Sequence, residues 1–168
     1  LFYPIFEESE PESYASLGKY GHRYLRVLME NDRYLYNKYF MQGLLFDKAA
    51  EYENYAWQLY DTVLQGISKV RGIGLDTLEE KGFQVTFQEN MQAAITADEI
   101  VTEDLFATID YNKRVRLEHA KDLLAHSGQS VTQIALDAGF GSTRTFFREF
   151  HHAFGISPGE YRHFGNLL

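Results

Sequence analysis

No cysteine occurs among the 168 residues, which removes disulfides, thiolate zinc sites and cysteine nucleophiles together and fits a reducing compartment. The cytoplasm is therefore the expected location. Long apolar runs are missing too: stretches such as residues 40–46 are far too short to cross a bilayer. The first ten residues carry acids where a signal peptide would carry bases, so a soluble chain with no membrane partner in this segment is expected. Helix breakers are few between residues 12 and 70, where Gly18, Gly21, Gly43 and Gly66 are the main interruptions. Bases are also in deficit, with 16 Lys and Arg against 24 Asp and Glu and a net charge of −8. Such a balance ordinarily argues against a nucleic-acid partner, because phosphate binding is driven by cations that displace counterions.

The average conceals an asymmetry. Residues 112–168 hold seven bases (Lys113, Arg114, Arg116, Lys121, Arg144, Arg148, Arg162) and five acids (Glu118, Asp122, Asp137, Glu149, Glu160), a local charge of +2 that leaves −10 on residues 1–111. Five of the six histidines, His119, His126, His151, His152 and His163, also lie in this tail, where partial protonation adds positive charge. Two halves of opposite charge imply two different jobs.

In the acidic front, residues 1–11 read as an extended lead-in. Apolar residues then recur at helical spacing, Tyr24, Leu25, Leu28 and Met29 on one face and Tyr52, Tyr55, Ala56, Leu59, Tyr60 and Val63 on another. Two to four helices are expected by residue 70. Ten of the twelve tyrosines precede residue 61; with Trp57 they could form a stacking platform, but aromatics at this spacing more often fill seams between helices. Between residues 72 and 110 the pattern loosens: 83–87 alternates like a short strand, whereas 75–81 and 88–95 read as helices.

The tail is more specific. Residues 114–124 place Val115, Ala120, Leu123 and Leu124 in a helical stripe. A break at Ser127, Gly128, Gln129 and Ser130 follows, with Ser130 placed to cap a short helix over 131–138 whose inward residues are Val131, Ile134, Ala135 and Ala138. Gly139 ends it with a positive φ at low cost. Ser142 caps a third helix, 143–154, anchored by Phe146, Phe147, Phe150 and Phe154. A short helix, a glycine turn and a longer polar-fronted helix make the helix-turn-helix layout, in which the second helix enters the major groove by its N-terminal residues. Ser142, Thr143, Arg144, Thr145 and Arg148 stand there, with Gln129 and Ser130 at the start of the preceding helix. Arg144 and Arg148, one turn apart, share a face; Arg against guanine is the commonest specific base contact, although a surface Arg is more often merely solvated.

These residues resemble the AraC/XylS family of bacterial regulators. Its pattern stands here as Arg116, Leu117 and Ala120; Ile134, Ala135, Gly139 and Phe140; Phe146 and Phe150; and Gly155, Ser157, Pro158, Tyr161 and Arg162. The resemblance implies an all-α DNA reader with Thr143, Arg144, Thr145 and Arg148 as base and phosphate contacts. It places Pro158 first in a last short helix and Tyr161 in the core. Members of the family usually carry two such units joined by a long helix. A first unit would use 57–70, 75–82 and 86–95, with the long helix including 112–124. Its reading helix would offer Gln88, Glu89, Asn90 and Gln92 without a base, so residues 57–110 are either a degenerate first unit or a different helical domain.

The expected organisation is an acidic, Tyr-rich helical region over 1–53 and an AraC-like DNA-binding domain over 54–168, whose clear helix-turn-helix is 112–164. The expected function is sequence-specific transcription regulation, with double-stranded DNA as partner and RNA polymerase and a second copy of the chain as further candidates. The alternative is a helical interaction module or anti-regulator that kept the fold without reading DNA. No effector is legible, and no cofactor or metal is expected. An enzyme is not expected: without cysteine no alkyl-transfer repair chemistry is available, and His151 and His152, adjacent on a helix, point apart.

Overall fold

The structure is a computed structural model that describes residues 16–73 and 79–165. The lead-in expected at 1–11 and most of the helix expected at 75–81 lie outside the described residues. Helices succeed one another: α1 (Lys19–Asn31), α2 (Arg33–Met41), α3 (Leu45–Arg71), α4 (Phe83–His126), α5 (Val131–Asp137), α6 (Thr143–Phe154) and α7 (Pro158–Gly165). The fold is all-α, with no strand among the described residues.

The strand expected at residues 83–87 is instead the first turn of α4. No glycine or proline interrupts the 44 residues from Phe83 to His126, and the aromatic spacing there is four, not two. Phe83 and Phe87 stack at 5.9 Å between ring centroids, as neighbours one helical turn apart do. The same helix contains both 86–95 and 112–124, which the sequence placed in separate elements.

Two compact units are distinguished by their packing. One draws on Leu1–Arg26 and Gly43–Phe106, the other on Val27–Gln42 and Ala107–Leu168. Helices α1 and α4 therefore each contribute to both.

In the first unit, Leu45, Ala49, Tyr52 and Ala56 are buried along one face of α3, and Ala93, Ala97, Val101 and Leu105 along one face of α4. Alanines at these spacings permit close helix packing. Gly21 serves α1 in the same way: a Cβ there would lie 3.3 Å from the Ala49 carbonyl oxygen and 3.0 Å from a Glu53 carboxylate oxygen. That carboxylate accepts from the Gly21 amide and from Trp57 Nε1 at 2.6 Å. The tyrosines fill seams. Tyr24 stacks on Tyr52 at 5.2 Å, Tyr20 meets Trp57 edge-on at 5.1 Å, and the Tyr52 hydroxyl donates to the Val101 carbonyl at 3.2 Å. Met29 and Tyr55, expected inside, are half-exposed. Asp98 receives Lys19 Nζ at 3.0 Å and both Arg23 terminal nitrogens at 3.1 Å. Burial pushes its carboxyl up, but the hydrogen bonds from Lys19 and Arg23 outweigh this and hold it below the usual range.

In the second unit, Leu117, Ala120 and Leu124 of α4 enclose a core with Ile134, Ala135, Ala138, Phe140, Phe146 and Phe150, flanked by Leu123, Val131, Phe154 and Tyr161. Leu117 takes the place expected for Val115, which is exposed; in a continuous α4 the inward register is 117, 120, 124. Phe147 is likewise 39% exposed and touches the core through its edge contact with Phe146, because 146, 150 and 154 already occupy the inward stripe.

Two outcomes follow from this packing. Phe150 is fully buried among Phe146, Phe154 and Tyr161, so Phe150→Ala should cost about 3–5 kcal/mol in urea unfolding, the usual range for such a cavity. Because the Asp98 carboxyl is depressed in the folded state, its contribution is present above about pH 4, the ordinary carboxylate range, and is lost as pH falls through the lower folded value. Melting temperatures of Asp98→Asn should therefore be lower at neutral pH and depend less on acidification than those of the unaltered protein.

Candidate nucleic-acid interface

The interface is assembled by local backbone chemistry. Ser130 has extended φ and ψ, and its hydroxyl oxygen accepts from the Gln133 amide at 3.1 Å, capping α5. At the other end Gly139 takes φ of 84°. Its amide donates to the Leu136 carbonyl at 2.9 Å and the Phe140 amide to the Ala135 carbonyl at 2.8 Å. This pair of bonds is the Schellman closure, in which a left-handed residue satisfies carbonyls left open at a helix end. It turns Phe140 into the core, 5.1 Å from Phe146. Ser142 then caps α6 by accepting from the Thr145 amide at 3.1 Å, with the two hydroxyls 2.9 Å apart.

Around the start of α6, Ser142, Arg144 and Arg148 are exposed and Thr143 and Thr145 half-buried. Arg148, with 73% of its side chain exposed, reaches Glu149 Oε1 at 2.8 Å, and Lys113 Nζ lies 4.0 Å from the other Glu149 oxygen. An exposed pair of this kind is weak, so it can be exchanged for a phosphate or a base edge. Gln129 and Ser130 are placed differently. Gln129 donates its amide to Asp137 at 3.0 Å, and the Ser130 oxygen is occupied as a cap. Ser142, Thr145 and Arg148 line one open hollow; Thr143, Arg144, Gln129 and Ser130 do not line it.

The hollow shows what the sequence did not. Its opposite wall is the end of α1 and the start of α2, with Glu30, Asn31, Asp32, Arg33, Tyr34 and Asn37 facing Lys113, Arg116, Phe140 and Gly141. Asp32 caps α2 by accepting from the Leu35 amide at 3.2 Å, and its other oxygen accepts from Arg116 Nη2 at 2.5 Å. Both partners are largely buried, with side chains 4% and 17% exposed. The guanidinium carbon of Arg116 is also 5.7 Å from the Phe140 ring centroid. Tyr34 covers the turn so closely that a Cβ on Gly139 would be 3.0 Å from its ring, and one on Gly141 3.3 Å. Asp32 is recognisable in sequence as a helix cap, but its pairing with a residue 84 positions away has no local signal.

Comparison with known proteins divides the chain at one residue. Residues 106–163 match the family model of a helix-turn-helix domain, and residues 1–106 that of the transposon-encoded protein TnpV. The HTH-type transcriptional activators RhaS of Escherichia fergusonii and of Klebsiella pneumoniae are each 46% identical over 52 residues, which is 31% of this chain and 19% of theirs. The putative HTH-type transcriptional regulator YkgA of Escherichia coli is 43% identical over 54 residues, 32% of this chain and 23% of its own. The chain thus spans about a fifth of the length of the curated relatives it matches. No solved structure matches. The resemblance to AraC/XylS regulators holds for the tail.

Removing the charge of Asp32 while keeping a capping side chain isolates the ion pair. Asp32→Asn should lower the free energy of urea unfolding by about 3 kcal/mol or more, because it strands a buried guanidinium. Adding Arg116→Met to Asp32→Asn should recover part of that loss. Equal stability of Asp32→Asn and the unaltered protein would show that the buried pair contributes nothing.

Proposed function

Because the chain belongs to the family of the transposon-encoded protein TnpV and ends in a helix-turn-helix domain of the AraC type, we propose that it is a sequence-specific DNA-binding transcription regulator whose helix α6 reads the major groove. The observation that carries this reading is the capped start of α6, where Arg144 and Arg148 stand exposed beside Ser142, Thr143 and Thr145. A helix presented in this way can enter the groove with its first two turns. The two arginines then serve base edges or flanking phosphates, and the hydroxyls serve phosphate oxygens. Gln129 and Ser130, at the start of α5, meet the backbone rather than bases.

The curated relatives, an activator and a putative regulator of transcription, agree with this role. A single unit makes few phosphate contacts, and useful operator affinity then calls for two copies of the chain on adjacent sites. The acidic first unit, repelled by phosphate, is suited to protein contact, with a second copy or RNA polymerase, and not to DNA.

Selection from a random-sequence duplex library tests the reading. One motif should be enriched, with affinity falling steeply as salt rises. Replacing Arg144 and Arg148 together by Ala should abolish the preference for that motif while leaving the melting temperature nearly unchanged. Loss of folding would make the arginines structural, and absence of any enriched sequence at low salt would reject DNA reading.

A further inference from the structure

We propose that the first unit carries a binding site for an organic ammonium ion with an apolar body, in the aromatic cage that Tyr20, Trp57 and Tyr60 form around the ammonium of Lys19. The site lies wholly within the stretch that matches TnpV, and the inference is independent of the reading of α6.

The geometry of the cage is the first argument. Lys19 Nζ is 4.5 Å from the centroid of the Tyr20 ring and 5.0 Å from those of Trp57 and Tyr60. The rings are walls and not a stack: Trp57 stands at 74° to Tyr20 and 80° to Tyr60, and Tyr20 at 49° to Tyr60. A cation among them meets three π-systems at once, the arrangement by which proteins recognise quaternary ammonium groups. Two walls are held from outside, since Trp57 Nε1 donates to Glu53 at 2.6 Å and Tyr20 is fully buried. The cage therefore needs no assembly when a ligand arrives.

The present occupant can be exchanged, which is the second argument. Lys19 begins α1, where the helix dipole disfavours a cation; it is held by the rings and by Asp98 Oδ1 at 3.0 Å, with side chains 46% and 32% exposed. A pair this open to water is weak. Asp98 also keeps a cation when Lys19 leaves, because both terminal nitrogens of Arg23 bind its other oxygen at 3.1 Å. Departure of Lys19 into solvent thus strands no charge.

The surroundings define the ligand. Lys19, Tyr60 and Asp98 share an open hollow with Met91, Ile95 and Glu99. Two carboxylates against one ammonium make it anionic, which favours a cation. Met91 and Ile95 are one turn apart on α4 and about half-exposed, so they offer apolar contact to whatever the ammonium carries. A metal ion would use neither them nor the rings, whereas an organic ammonium uses both.

Trp57 is the only tryptophan in the chain, and its fluorescence reports on the cage. The full chain is titrated at constant ionic strength with benzyltrimethylammonium, with tetramethylammonium, and with 3,3-dimethylbutanol, whose tert-butyl group has the shape of a trimethylammonium without its charge. A saturable change is expected with the first, a weaker one with the second and none with the alcohol. Lys19→Gln removes the competing cation and should tighten binding of benzyltrimethylammonium about tenfold, while Lys19→Arg should leave it nearly as in the unaltered protein. Tyr60→Leu should weaken it about three- to tenfold, the worth of one ring. Circular dichroism checks that each variant folds; should Lys19→Gln not fold, the response of the unaltered protein and its weakening by Tyr60→Leu decide. Absence of a saturable change in folded Lys19→Gln would overturn the site. Equal affinity of Lys19→Gln and the unaltered protein would overturn it too, since the cation would then be seated away from the cage. Equal binding of the alcohol would reduce the hollow to an apolar one and reject an ammonium ligand.

Discussion

Arg116 carries a charge that its surroundings can hold only if Asp32 is in place. Its guanidinium lies over the ring of Phe140 and its stem against the position where Gly139 lacks a side chain. Burial of an unpaired cation is costly, so the pair constrains every element it touches. Through Asp32 it sets where α1 ends and α2 begins, since the same carboxylate caps α2. Through Phe140 it fixes the turn that aims α6. The presentation of Ser142, Arg144 and Arg148 thus depends on one ion pair as well as on the aromatic core beneath.

That core follows a simple rule. Phe146 and Phe150, one turn apart, are fully buried, and Phe140, Phe154 and Tyr161 surround them. Large rings in edge and tilted contacts give a short helix enough apolar burial to keep its other face polar. The first unit solves a different problem. Its helices are long and its tyrosines many, and close approach comes from Ala49, Ala56, Ala93, Ala97 and Gly21. The acids that make the front strongly negative are partly used internally: Asp98 binds Lys19 and Arg23, and Glu53 binds Trp57 and the Gly21 amide.

Legibility in the sequence tracks the range of the interactions. Ser130, Gly139, Ser142 and Pro158 stand where expected because caps and turns are settled within three or four residues. The inward stripes of α5 and α6 were legible for the same reason, as their periodicity is local. Where a stripe of apolar residues fits more than one helical register, periodicity alone does not choose: Leu117, not Val115, is buried, and Phe147 is exposed beside the buried Phe146. The short alternation at 83–87 looked like a strand because a five-residue window cannot separate a period of two from the first turn of a 44-residue helix.

The sequence by itself determined that the chain is helical, that its acids outnumber its bases in the front and not in the tail, and that residues 111–164 form a capped helix-turn-helix of the AraC type. Each of these depends on composition or on contacts between near neighbours. Only the tertiary structure decided that residues 27–42 pack with the tail, that Asp32 neutralises Arg116, and that Tyr34 covers the turn before α6. Those contacts join residues some 80 to 110 positions apart. A pairing over such a distance leaves no periodicity in a single sequence, because what selects it is the shared burial of groups that no local rule brings together.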